Sequence, residues 1–141
     1  MERLVEELTN GNVTEVKVML ASVVMALAVY QLLLASVAYG KLRTRLLESG
    51  LASWTHRASG DVALVLAVLV AVACISVYGF DDESGAHTVF GIAVLAVLAL
   101  KVLAVRVGGA LSRLLPYIGI GLFAALGGAW LTSAGEFLGV V

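Results

Sequence analysis

Two histidines and one cysteine stand out in a chain of 141 residues. His56 opens the run His56-Arg57-Ala58-Ser59-Gly60, and His87 is followed four residues on by Gly91. On a helix, positions four apart share a face. A glycine one turn from a histidine therefore clears space beside an imidazole, enough for a flat macrocycle to approach. Imidazole is a usual axial ligand of haem iron. His87, His56, Gly60 and Gly91 are accordingly the candidate cofactor contacts, with the two histidines as candidate metal ligands. The blander reading, histidines at a membrane edge beside small residues, stays open next to it. The sequence carries no hydrolase or phosphotransfer motif, and no independent catalytic activity is assigned.

Other polar residues bear on the same chemistry. Lys101 lies fourteen residues beyond His87, turned about 40° from its face at about 100° per residue. From His56, the residue eighteen positions on is Cys74. Arg57 and Asp61 are one turn apart, and an antiparallel pairing of the second and third helices would bring Arg106 level with Asp61. Arg57, Asp61 and Arg106 are thus expected to form a structural ion cluster at the membrane rim. Lys101 falls about a turn deeper, where its long stem can snorkel to the surface. Tyr30 and Gln31 fall mid-membrane in the first helix, where a hydrogen bond between helices would satisfy them.

The elements that must position these groups follow from where charge is missing. The composition is 61% hydrophobic and 13% charged, with a mean hydropathy of +1.04. A soluble domain carries about 45–50% apolar and about 25% charged residues, and a chain this short could not bury so much apolar surface. Net charge −1 argues against nucleic acid as a partner, and a single cysteine excludes a disulfide scaffold. Val18 to Gly40, Val62 to Phe80, Ser84 to Leu100 and Leu114 to Gly135 contain no Asp, Glu, Lys or Arg. A bilayer core needs about 20 apolar residues as helix. Barrel strands would alternate polar and apolar residues, which VALVLAVLVAVACISVYGF does not. The expectation is an all-α integral membrane four-helix bundle in one domain, with helices at about 16–40, 57–80, 86–107 and 114–135.

Charge between the runs sets orientation. Lys41, Arg43, Arg45 and Arg57 precede the second helix, and Lys101, Arg106 and Arg113 separate the third from the fourth. Glu2, Glu6, Glu7, Glu15, Asp81, Asp82, Glu83 and Glu136 fall on the other side. The positive-inside rule then places the basic loops in the cytoplasm and both termini outside, as a multi-pass protein of the cell membrane. Four acids before the first apolar run argue against a cleaved leader. Residues 1–15 read as a short outer segment with one helical turn (Leu4, Val5, Leu8) before the Asn10-Gly11-Asn12 turn. The segment KLRTRLLESGLASWTHRASGD, residues 41–61, is too long for a tight turn and is expected to hold an amphipathic stub with Leu42, Leu46 and Leu47 on one face and Trp54 as an interfacial anchor. Residues 79–87 are short enough to make an antiparallel hairpin of the second and third helices, and Pro116 suits the first turn of the fourth.

Small residues recur at intervals of four: Ala63, Ala67 and Ala71, then Gly121, Ala125 and Ala129, with Ala124 and Gly128 alongside. Membrane helices associate through such residues because lipid offers no hydrophobic driving force between them. They are expected to be seams of one bundle, with a second copy, other membrane subunits or a cofactor as the competing occupants.

The runs WTHRASGDVALVLAVLVAVACISVYGF and AHTVFGIAVLAVLALKVLAVR resemble the His-Arg-x-x-Gly helix and its successor in the ferric-reductase-like and cytochrome b561-like membrane families. Together with VKVMLASVVMALAVYQLL and AWLTSAG, they look more closely like a poorly characterised family of four-helix prokaryotic membrane proteins. The matching positions are His56, Arg57, Gly60, Cys74, Gly79, Phe80, His87, Gly91, Lys101 and Arg106. Val70, Ala73 and Cys74 stand where the ferric-reductase pattern has a second histidine. The resemblance implies a small cytochrome-b-like membrane subunit of an electron-transfer assembly, holding one b-type haem. A cofactor-free structural or assembly subunit is the alternative.

Overall fold

The computed structural model describes residues 12–39, 49–78 and 85–140, omitting the side chains of Ser49, Tyr78 and Ala110. Four helices are long and apolar enough to cross a membrane. Among the described residues they are α1 (Val13–Ala38), α2 (Ser49–Tyr78), α3 (Gly85–Val107) and the continuous helical stretch Leu111–Gly135 that contains α4 (Leu115–Trp130). In hydrocarbon every backbone polar group must be satisfied within its own segment, which a continuous helix does and an irregular chain does not. All four are apolar nearly all round, as helices facing lipid are.

The ends of the elements have local causes. α3 stops where Gly108 and Gly109 both take positive φ, 66° and 60°, a conformation that L side chains resist. A 3₁₀ turn, Gly109–Leu114, then leads into α4, whose first turn holds Pro116 where no helical bond is lost. α4 runs on into a wider π turn, Leu131–Gly135. α2 begins at Ser49, about two turns before the start expected near residue 57. Residues 51–57, including Arg57, are compatible with helix, so the helix extends through the interface. His56 therefore lies about two turns inside α2 and does not open it. The amphipathic reading of residues 41–48, the N-terminal turn and residues 79–84 lie outside the described residues.

Helix pairing differs from the expected hairpin. α1 packs along α2 and against α4, and α3 packs along α4, whereas α2 and α3 touch at few places. Around the bundle the order is thus α2, α1, α4, α3. α1 and α4 run antiparallel: Ser22 meets the end of α4 at Trp130, and Met25 meets Gly127 one turn back. α3 and α4 do the same, with His87 beside Ala129 and Phe90 beside Gly128. Short connections make neighbours in sequence, but the α4 face with Ala125 and Gly128 lets α3 approach closely and so competes for it.

Between α3 and α4, Val94, Leu98, Leu122 and Ala125 form a buried cluster that Leu64 of α2 touches. The small-residue stripes divide between two tasks. On α4, Ala125 is in this core, and Gly128 seats the Phe90 ring so closely that a Cβ there would collide with it. Gly121 and Ala124 are exposed. On α2, Ala67 and Ala71 line a cavity.

Candidate functional site

The two ends of the bundle hold different polar constructions. Towards the end where α1 begins and α4 finishes, all four helices line a cavity of about 560 Å³, within the range of about 300–1,000 Å³ usual for ligand sites. Its walls are mostly Val, Ala, Ile and Leu. Its polar groups are Thr14 and Lys17 from α1, Cys74 from α2, His87 and Thr88 from α3, and Thr132, Ser133 and Glu136 after α4. The scarcity of α2–α3 contacts leaves room for it.

His87 is held in this wall by a defined network. Its Nδ1 is 3.1 Å from the Ala129 carbonyl and 3.4 Å from Thr132 Oγ1. Thr132 gives its own proton to the Gly128 carbonyl at 2.8 Å. Both neighbours of Nδ1 can therefore only accept, so Nδ1 carries the proton and, in the neutral ring, Nε2 keeps the lone pair. Ser133 Oγ also donates to the Ala129 carbonyl, at 2.9 Å. The π turn interrupts the regular ladder here, and the side chains of Thr132, Ser133 and His87 take up the carbonyls of Gly128 and Ala129. Short π segments of this kind recur at functional sites. Trp130 Nε1 donates to Ser22 Oγ at 3.1 Å and ties α1 to the same place. The charges of Lys17 and Glu136 both act on the His87 ring.

The other construction lies about two turns in from the end where α1 finishes and α2 begins. Gln31 of α1 uses both hydrogens of Nε2, one on the His56 carbonyl at 3.0 Å and one on Ser59 Oγ at 2.6 Å. Ser59 passes its proton to the Thr55 carbonyl at 2.6 Å. Gln31 Oε1 and His56 Nδ1 are buried with no hydrogen-bond partner. The Lys101 charge acts on His56, and the Asp61 charge acts on Lys101.

These two centres redistribute the residues picked out in the sequence. His87, Gly91 and Cys74 share one cavity. Cys74 is thus placed with His87, not His56. Lys101 belongs with His56 and Asp61, far along α3 from His87. The space beside Gly60 is taken by Gln31, whose side chain would meet a Cβ there at 3.5 Å. Nothing lies within 4 Å of a Cβ built on Gly91. Arg57, Asp61 and Arg106 are all exposed, and Asp61 acts on Lys101; with few α2–α3 contacts, no hairpin register forces the expected trio together. Gln31 makes the interhelical hydrogen bond expected of it, while Tyr30 is exposed.

Sequence reasoning missed Lys17, Glu136 and the Trp130–Ser22 bond as parts of the first site. Lys17 and Glu136 looked like flanking charges, and no spacing rule links residues 108 positions apart. The Thr132-Ser133 pair just before Gly135 was the available signal for the irregular turn.

The chain belongs to the family of unknown function DUF6529, whose match covers residues 4–140, almost its whole length. No curated protein and no solved structure matches it significantly.

Proposed function

We propose that this protein is a small cytochrome-b-like membrane subunit of an electron-transfer assembly, with His87 as the axial ligand of one b-type haem in the cavity. The observation that carries the reading is the Nδ1–H of His87 fixed on the Ala129 carbonyl in the wall of an apolar cavity. Histidines that ligate metals almost always donate the other ring N–H to a carbonyl or carboxylate, which sets the tautomer and raises the basicity of the ligating nitrogen. The resemblance of the His87 helix to cytochrome b561-like and ferric-reductase-like helices points the same way.

The residues present fit such a group. A haem would supply a one-electron couple at its iron. His87 Nε2 provides the lone pair, and Gly91 leaves its helix face open one turn along. Lys17 brings a cation to a cavity that is otherwise largely apolar, which suits acidic substituents on a flat apolar ring. Cys74 offers a sulfur from the α2 wall. The Trp130–Ser22 bond ties α1 to this wall. His56, with Gln31 against its turn, is left out of this site.

The test is a reduced-minus-oxidised spectrum of the full protein produced with ample haem. The Soret band is expected to vanish in His87→Ala and to persist in His56→Ala. A parent protein without a Soret band in its native membrane would eliminate the haem reading.

A second reading, a cofactor-free subunit that docks other membrane helices, draws on α2. Among the described residues of α2 only Ala52 is in the buried apolar core, and Val62, Val65, Leu69 and Val72 are exposed. In either reading the basic loops face the cytoplasm of a cell membrane and the termini face outward. In a Cys74→Ser background, Ser84→Cys should label from outside intact cells and Ser49→Cys should not; the reverse pattern inverts the orientation.

A further inference from the structure

The cavity beside His87 is closed on three sides of the bundle and open on the fourth. All four helices line it. Around the ring, α2 packs on α1, α1 on α4 and α4 on α3, but α3 and α2 touch at few places. The lining residues follow the same division. On the α1 wall Val18 and Val24 are buried, and on the α4 wall Leu126 and Ala129 are half-buried. Facing them, Ile75 of α2 and Ile92 and Leu95 of α3 line the cavity and are exposed. The cavity therefore opens sideways, along the seam between α2 and α3.

What can fill it follows from what surrounds it. Helices this apolar are bathed in hydrocarbon, so the opening meets acyl chains. The α2 wall from Ala67 to Ile75 is apolar but for Cys74, and spans about 12 Å of helix. Apolar space of this kind does not hold water, and left empty it costs the lining side chains their dispersion contacts. The polar lining groups gather at one end, with Thr14 and Lys17 near the start of α1 and Ser133 and Glu136 after α4. The shape is amphipathic, with a polar end carrying a cation and an apolar body open to lipid.

The geometry points to a phospholipid site: in the haem-free protein one acyl chain of a bilayer lipid enters between α2 and α3 and lies in the cavity, with its phosphate at the Lys17 end. The small residues Ala71 and Gly91 make room for the chain, and nothing lies within 4 Å of a Cβ built on Gly91. The site does not rest on the haem reading. A haem that enters takes the place of the chain by the same opening, and a cavity that never holds haem keeps its lipid.

Trp130 lines the cavity and reports on it, because Trp54→Phe leaves it the single tryptophan of the chain. The full chain carrying Trp54→Phe, made without haem, is reconstituted in phosphatidylglycerol vesicles whose acyl chains carry bromine, a contact quencher of indole. Trp130 fluorescence should be strongly quenched. Quenching should fall several-fold when Gly91→Leu or Ala71→Leu fills the opening, and should stay unchanged in Gly121→Leu, on an exposed face away from the cavity. Either filling variant suffices if the other does not fold. Unquenched Trp130, or quenching indifferent to both filling variants, overturns the site, since lipid would then reach the indole only from outside. The Soret band plays no part in this readout, so the lipid site and the haem reading can fail separately.

Discussion

His87 and His56 share a sequence signature, a glycine four residues on, yet the fold puts them to opposite uses. At His87 the glycine face stays open, and a neighbouring helix fixes Nδ1 so that Nε2 keeps its lone pair. At His56 the glycine face receives Gln31 from α1, and Nδ1 is the atom without a protein partner. The difference comes from which helix each one faces. α2 lies along α1, which brings an amide to His56, whereas α2 and α3 stand apart and leave a cavity beside His87. The spacing of a motif reports which residues share a helix face; the neighbour across that face decides what they do.

The largest expected effect tests the close approach that supports the His87 end. In Gly128→Val the added side chain meets the Phe90 ring, and overpacking of this kind costs about 1–3 kcal/mol. Thermal unfolding in detergent should show it as a clear fall in melting temperature, and adding Phe90→Ala should recover part of it. No fall would mean that α3 and α4 are not held together at this contact. Gly91→Ala makes the contrast sharper: with nothing within 4 Å it should leave stability unchanged or slightly improved, while narrowing the cavity beside His87 and lowering haem retention.

At the His56 end the expected loss is smaller. Gln31→Leu removes two interhelical hydrogen bonds but also removes the unpartnered Oε1. Hydrogen bonds between membrane helices average about 0.6 kcal/mol each; with the relief of Oε1 set against the two bonds, a net cost below about 1 kcal/mol is expected by the same unfolding measurement. A loss as large as that of Gly128→Val would make the polar centre, not the α3–α4 seam, the stronger fastening.

The smallest effect concerns the rim. Asp61, Arg57 and Arg106 are exposed, and exposed ion pairs are worth about 0–1 kcal/mol. Asp61→Asn should therefore move the melting temperature little in moderate salt. A large drop would restore the tight Arg57–Asp61–Arg106 cluster that the sequence suggested.

Much of this protein was legible before any fold was seen. Four charge-free runs determine four membrane helices, because the cost of burying charge and of unsatisfied backbone leaves no other structure for them. Pro116 marks the first turn of the last helix for an equally local reason, and an amide at Gln31, mid-membrane, demands a partner on another helix. The helix order around the bundle could not be read this way. Apolar residues cover every face, so no periodicity says that α1 lies between α2 and α4 or that α3 seeks Gly128. The tertiary structure alone decided that Gln31 meets the turn of His56, that Cys74 and Lys17 join His87, and that the chain between Leu131 and Gly135 widens into a π turn. These depend on contacts between segments far apart in the chain, where packing of small residues selects the partner and local sequence carries no record of the choice.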